Sequence, residues 1–348
     1  LEWYNLGTMK KIRVGINGLG RIGRAFLKIA LERPELDVVA VNDLGDLENL
    51  AYLLRYDSAY GRYAHPVTVK DKMLVVNGHE IRVCQEKEPA HLPWHELQID
   101  VVVESTGFFT SFDKAKAHRD AGARKVVVSA PVKGDPVPGI VGATVLMGIN
   151  DAQLATCQIS SNASCTTNSA SPVIQILLEK IGIEKAILNT VHGYTATQKL
   201  VDSPDAKDFR RGRAAAVNLV PSTTGAAEAV TQAIPALAGK FDGISMRVPV
   251  LTGSIADITF IARRATTVEE VNRILKQAAS EPRWQGIFTV TEEPLVSSDI
   301  VGSRHASIAD LGLTKVVDGN LVKVMAWYDN ELGYTHTLVQ HVIKTGTV

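Results

Sequence analysis

A short apolar strand that runs straight into spaced glycines and then into a helix permits few folds, and this chain carries one close to its start. Ile12, Val14 and Ile16 alternate as a strand does, Gly18-Leu19-Gly20-Arg21-Ile22-Gly23 follows, and residues 24–32 have helical spacing. In such a strand–turn–helix unit the glycines serve the tight turn, the close approach of backbone to a pyrophosphate, and helix-to-sheet packing, with the phosphates at the helix N-terminus. Gly18, Gly20, Arg21, Ile22 and Gly23 are therefore candidate cofactor residues. A second strand over 37–42 ends at Asp43, twenty residues past Gly23. A carboxylate there can accept from both hydroxyls of an adenosine ribose and repels a 2′-phosphate, which selects NAD over NADP. Glycines also cluster in ordinary turns, and an aspartate can simply cap a helix.

The α/β pattern continues. Strands are expected over 67–70, 73–76 and 80–83, the last two joined by Asn77-Gly78, a hairpin signal, and the group reads as an insertion. Strands over 100–104 and 125–129, with a helix over 111–121 between them, resume the parallel order. Glu104-Ser105-Thr106-Gly107 and Ser129-Ala130-Pro131 then fall at carboxyl ends of strands, where open α/β sheets bind ligands, and Ser129 joins the cofactor candidates.

Composition narrows the function. At 348 residues and 45% hydrophobic, the chain suggests two domains with a core each. Lys+Arg and Asp+Glu both number 37, without long runs of either sign, so dedicated nucleic-acid binding is not expected. The sequence has no apolar run of membrane-spanning length and no signal-peptide layout, and a cytoplasmic location is expected. Residues 1–8 precede Met9, read as the native start, and are set aside. The cysteines are Cys84, Cys157 and Cys165, without metal-ligand spacing, so neither a disulfide framework nor a metal site is expected.

Cys165 stands apart. It lies in Ser161-Asn162-Ala163-Ser164-Cys165-Thr166-Thr167-Asn168, between a strand over 156–160 and a segment over 169–180 with helical spacing. Unpaired N–H groups at a helix start favour a thiolate and can stabilise an oxyanion beside it. A buried structural cysteine is the plainer alternative, but five hydroxyl and amide neighbours suit packing poorly. Downstream, a strand over 186–191 ends at His192, a possible base for a thiol or an ordinary structural histidine. Residues 195–213 read as a functional loop, and Pro221-Ser222-Thr223-Thr224-Gly225 opens a helix over 226–234. Arg247 sits among apolar residues and needs an anionic partner. Thr267-Val268-Glu269-Glu270 reads as a capping box, and residues 331–344 as a terminal helix.

With these pieces in order, the chain resembles phosphorylating glyceraldehyde-3-phosphate dehydrogenases from Lys10 to Lys344, through GINGLGRIGR, SNASCTTN, HGYTATQ, STTGAA, MRVP and WYDNELGY. The resemblance implies a Rossmann-type NAD-binding domain (9–164 and 331–348) and an α+β catalytic domain (165–330) with a mainly antiparallel sheet. It implies oxidation of D-glyceraldehyde 3-phosphate, with inorganic phosphate, to 1,3-bisphosphoglycerate. Cys165 would be the nucleophile and His192 its partner. Thr195 and Arg247 would bind the substrate phosphate; Ser164, Thr166, Thr224 and Gly225 the inorganic phosphate; Asn330 the nicotinamide carboxamide; and Asp43 the adenosine ribose. Leu44 and Pro204 resemble NAD-preferring members, and a homotetramer is implied. Ser169 departs from the pattern where a second cysteine is frequent, residues 136–143 look long, and Leu332 replaces a common tryptophan. Rival readings are erythrose-4-phosphate dehydrogenase, aspartate-semialdehyde dehydrogenase and a catalytically silent NAD-binding protein; HGYTATQ, WYDNE and the retained Cys165 and His192 speak against them.

Overall fold

In the computed structural model, which describes residues 10–206 and 208–348, the chain packs as two units. One holds the residues up to Ala143 together with Gln153–Ser161 and Leu338–Val348; the other holds Thr144–Ala152 and Asn162–Thr337. This packing division differs in places from the expected limits of 9–164, 331–348 and 165–330. Residues 144–152 join the second unit because Thr144 and Asn150 bond within it, Thr144 Oγ1 to Gln232 at 2.6 Å. The expected start at Met9 lies outside the described residues.

The first unit is built on strands β1 (Ile12–Asn17), β2 (Leu36–Asn42), β3 (Tyr56–Asp57), β4 (Gly61–Arg62), β5 (Val67–Lys70), β6 (Met73–Val76), β7 (His79–Cys84), β8 (Val101–Glu104), β9 (Lys125–Val128), β10 (Gly142–Thr144) and β11 (Ile159–Ser161). Nine of them form one sheet in the order β10-β11-β9-β8-β1-β2-β7-β6-β5. β11, β9, β8, β1, β2 and β7 run parallel, and β5 and β6 close the edge antiparallel. The expected insertion is thus two strands rather than three: β7 belongs to the parallel sheet. The turn between β6 and β7 has Asn77 and Gly78 both at positive φ, as a two-residue hairpin turn requires. Helices α1 (Arg21–Ala30), α2 (Leu47–Arg55) and α3 (Phe112–Asp120) complete the alternation. After β2 the chain builds outward on one side of β1, then returns at β8 on the other. That reversal opens a crevice at the carboxyl ends of β1 and β8.

The second unit contains β12 (Ile183–Gly193), β13 (Val220–Thr223), β14 (Phe241–Val248), β15 (Ser254–Ala262), β16 (Phe288–Thr291), β17 (Ser307–Val317) and β18 (Leu321–Tyr328), with α4 (Cys165–Lys180), α5 (Ala226–Ala233), α6 (Val268–Ala279) and the short α7 (Ser297–Ile300). Helix α8 (Leu332–Thr347) follows β18 and ends in the first unit. The sheet order is β13-β14-β12-β15-β18-β17-β16, with only the β12–β14 and β16–β17 pairs parallel. One sheet face packs on α4, α5 and α6 through Leu188, Phe260 and Val324, and Trp284 from the turn after α6 joins the same buried cluster. Burying such large side chains contributes about 2 kcal/mol each. On the opposite face, Ile187 and Ile244 remain 57% and 51% exposed.

Candidate active site

The first unit offers a crevice of about 490 Å³ lined by Asn17, Gly18, Gly20, Asp43, Ser105 and Thr106, among others. Gly18 has φ +97°, and a Cβ there would lie 2.8 Å from the Thr106 backbone nitrogen. Gly23 is more restricted still: its Cβ would meet the Gly18 carbonyl oxygen. At Gly20, by contrast, a Cβ would meet nothing within 4 Å, so the space beside it is open to a ligand. Helix α1 begins at Arg21, three residues before the expected start, and no side chain caps it at Gly20. The dipole end of α1 therefore faces the turn, as a pyrophosphate requires.

Asp43 ends β2 at the crevice, its carboxylate accepting from the Leu19 N–H at 2.7 Å and the Gly45 N–H at 2.8 Å. These bonds aim the group and leave lone pairs for hydroxyl donors. Arg21 turns to Asp57, at 2.6 Å. Ser129 is not among the residues lining the crevice; its backbone N–H bonds the Glu104 carbonyl. Sequence reasoning passed over Asn17 and Asn42, which stand at strand ends and line the crevice. A polar residue closing an apolar parallel strand is the signal that could have found them.

In the second unit, helix α4 begins at Cys165 itself, four residues earlier than expected. Ser164 is the N-cap, its hydroxyl accepting from the Thr167 N–H at 3.1 Å. Ala163, just before it, is a buried non-glycine residue at φ +54°. Such a backbone costs about 1 kcal/mol or more and persists only where its surroundings fix it. Here Tyr334 donates to the Ala163 carbonyl at 3.1 Å, and Asn168 donates to the carbonyls of Asn162 and Ser164 at 2.7 and 3.0 Å. The turn presenting the thiol is thereby locked.

Cys165 Sγ lies 3.3 Å from His192 Nε2. β12 carries His192 in register with Arg247 on β14. His192 Nδ1 is 2.6 Å from the Gly193 carbonyl and also 2.6 Å from Arg247 Nη1. Arginine only donates, so one imidazole tautomer cannot make both contacts. With Nδ1–H given to Gly193, Nε2 faces the sulfur as an acceptor, the arrangement a base needs. Tyr328 sits edge-on to the imidazole, its hydroxyl 2.9 Å from Thr166 Oγ1 and 2.7 Å from Thr190 Oγ1. Tyr328 was not anticipated from sequence, although it lies in the WYDN segment.

Electrostatics correct one expectation. The helix start was expected to favour the thiolate, yet burial pushes the Cys165 thiol up and outweighs the opposing pull of Arg247 and of N–H bonding at Thr166 and Cys165. Burial, then Arg247, lowers His192 to about 3. At neutral pH the pair is a thiol beside a neutral imidazole, able to pass a proton as the sulfur attacks.

Arg247 is largely buried, its own value lowered by that burial, and its Nε has no hydrogen-bond partner among the described residues. None of the ion pairs formed by described residues involves it, so it retains capacity for an anion. Thr195 Oγ1 is 2.9 Å from Thr197 Oγ1 and 3.3 Å from Gln198 Oε1. Thr224 Oγ1 accepts from the Ala226 N–H at 3.1 Å, and Gly225 caps α5 with open space at its Cα. In the long loop, Arg211 donates to Ser222 at 2.8 Å, a second basic residue that sequence reasoning did not single out. Asn330 has its Oδ1 held by Ser254 Oγ, the Gly253 N–H and Thr252 Oγ1 at 2.9, 3.1 and 3.3 Å, so the amide nitrogen is the end it can offer.

The first unit is that of a dinucleotide-binding α/β protein, and the second presents a thiol paired with an imidazole. Residues 12–112 match the glyceraldehyde 3-phosphate dehydrogenase NAD binding domain, and residues 164–330 match the C-terminal domain of the same enzymes. The chain is 51% identical over 330 residues to the glyceraldehyde-3-phosphate dehydrogenase of Thermotoga maritima, covering 94% of this chain and 97% of that one. It is 48% identical to the enzyme of Geobacillus stearothermophilus (94% and 96% covered) and 48% identical to the cytosolic enzyme of Trypanosoma brucei brucei (96% and 99%). The chain belongs to the glyceraldehyde-3-phosphate dehydrogenase family, and its cofactor is NAD.

Proposed function

We propose that the protein oxidises D-glyceraldehyde 3-phosphate with inorganic phosphate to 1,3-bisphosphoglycerate. The observation that carries this reading is the 3.3 Å contact between Cys165 Sγ and His192 Nε2, with Arg247 in register beside the histidine and lacking a carboxylate partner. Cys165 Sγ bonds to the aldehyde carbon while its proton passes to His192. The resulting alkoxide is stabilised by imidazolium and by N–H groups at the start of α4. Bound NAD would supply the hydride acceptor for that carbon, and with the hydride gone the alkoxide closes to a carbonyl, so that Cys165 carries the acyl group as a thioester. Inorganic phosphate then attacks the acyl carbon, the C–S bond breaks, and the thiolate leaves.

Thr195 and Arg247 hold the substrate phosphate, and Ser164, Thr166, Thr224 and Gly225 the attacking one. Asn330 donates to the nicotinamide carboxamide; Gly18, Gly20, Arg21, Ile22, Gly23, Asp43 and Ser129 serve the rest of the cofactor. The functional domains are 9–164 with 331–348, and 165–330. The protein works in the cytoplasm as a homotetramer, a reading supported by the exposed Ile187 and Ile244. No helix among the described residues is long and apolar enough to cross a membrane.

Absorbance of NADH, followed with and without phosphate, tests the reaction. Turnover is expected to require phosphate, and Cys165→Ser to lower kcat by about a thousandfold or more. Equal rates with and without phosphate would remove the phosphorylating assignment.

A further inference from the structure

Beneath the dinucleotide crevice runs a chain of buried side-chain hydrogen bonds. Trp94 Nε1 donates to His118 Nδ1 at 3.0 Å, which fixes the proton of a neutral imidazole on Nε2, 2.9 Å from Glu104 Oε2. The same oxygen accepts from Asn17 Nδ2 at 2.6 Å. Asn17 Oδ1 accepts from Asn42 Nδ2 at 2.7 Å, and Asn42 Oδ1 from the Glu86 N–H at 2.9 Å. The other carboxylate oxygen, Glu104 Oε1, accepts from the Thr106 N–H at 2.8 Å and the Thr106 hydroxyl at 2.5 Å.

Glu104 thus accepts four hydrogen bonds and is 1% exposed; His118 and Trp94 are 0% exposed. The chain ties together the carboxyl ends of four sheet neighbours: β8 through Glu104, β1 through Asn17, β2 through Asn42, and the segment after β7 through Glu86. Asn17, Asn42, Glu86 and Thr106 all line the crevice, whereas His118 does not. His118 also stands edge-on to Phe109, another lining residue, with ring centroids 6.2 Å apart. A core packed for stability alone would not need a carboxylate with four donors here, since burying polar groups gains little over apolar packing.

We propose that His118 and Glu104 are positioning residues for NAD: they hold the crevice walls at the spacing the dinucleotide needs, without touching it. The inference rests on NAD occupying this crevice. Removing the imidazole would leave the buried Trp94 N–H without its acceptor and Glu104 one donor short, with only Asn17 and Thr106 to hold it, and so loosen both walls.

Titration of NAD by fluorescence quenching, with kcat at saturating NAD and the melting temperature of each variant, tests this. His118→Phe keeps an aromatic ring but loses both bonds, and is expected to weaken NAD binding about tenfold or more while kcat stays within about twofold. His118→Gln can accept from Trp94 and donate to Glu104, and should recover most of the affinity. Trp94→Phe, with one bond removed, should weaken NAD by a smaller factor and keeps the test open if His118→Phe does not fold. Unchanged NAD affinity in folded His118→Phe or Trp94→Phe, or equal losses in His118→Phe and His118→Gln, would overturn the proposal. Failure of the unaltered protein to bind NAD would instead remove the reading of the crevice.

Discussion

Asp43 shows how one side chain can carry both a structural and a selective task. Its two oxygens take the Leu19 and Gly45 N–H groups, fixing the glycine turn and the loop after β2. The charge that orders the backbone is also the charge that a 2′-phosphate would meet. Asp43→Asn keeps an acceptor for the backbone but removes the repulsion. The ratio of kcat/KM for NAD to that for NADP should fall by about tenfold or more, and an unchanged ratio would show that selectivity lies elsewhere. Cys165 teaches a different lesson. Its position at a helix start was readable, but the balance of its electrostatics was not, because burial depends on residues far along the chain.

Secondary-structure elements were legible where periodicity and capping agree, and less so where tertiary packing decides. The glycine turn and the Asn77-Gly78 hairpin stand where the sequence puts them. Helix α4 runs from Cys165 through Pro172 to Lys180, although a proline in a helix interior removes a hydrogen bond and argues against it. Val173, Ile174 and Leu177, all 0% exposed, supply the packing that carries the helix across. β13 and β14 were not expected as strands, since Pro221 and Arg247 sit within them; β13 tolerates its proline as the edge strand. At the site, the thiol, the histidine and the arginine were visible as residues, but only the β12–β14 register brings the last two together.

Helix α6 illustrates a cap that is half what its sequence suggests. Thr267 accepts from the Glu270 N–H at 3.2 Å, as a capping box requires, but the Glu270 carboxylate turns to Arg264 and Thr266, at 2.9 and 2.7 Å. The hydrogen bonds from Arg264, then Thr266, hold the Glu270 carboxyl down to about 2 from its ordinary 4.5. A depressed carboxyl stabilises the fold above its unfolded value, and that contribution fades as pH falls from 4.5 toward 2. Melting temperatures of the protein and of Glu270→Gln should therefore differ at neutral pH and converge in that acid window. A constant difference would place the effect of Glu270 outside its ionisation.

For the whole molecule, the uncovered face of the second sheet is the feature that bears on assembly. Ile187 and Ile244 stand exposed beside the Lys323–Asp257 ion pair, an apolar face with charges set among it. Sedimentation velocity is expected to give a particle of four chains, and Ile187→Asp with Ile244→Asp to shift it toward smaller species. A monomer in the unaltered protein would refute the tetramer.

The distribution of sulfur across the molecule has a consequence of its own. Cys84 and Cys157 belong to the first unit, Cys165 is the sole cysteine of the second, and one helical turn beyond it stands Ser169, buried. Under peroxide, a sulfenic acid on Cys165 has no neighbouring thiol in its own unit with which to condense. Its rescue depends on a thiol from outside that unit, and until one arrives the next oxidation, to the sulfinic acid, competes.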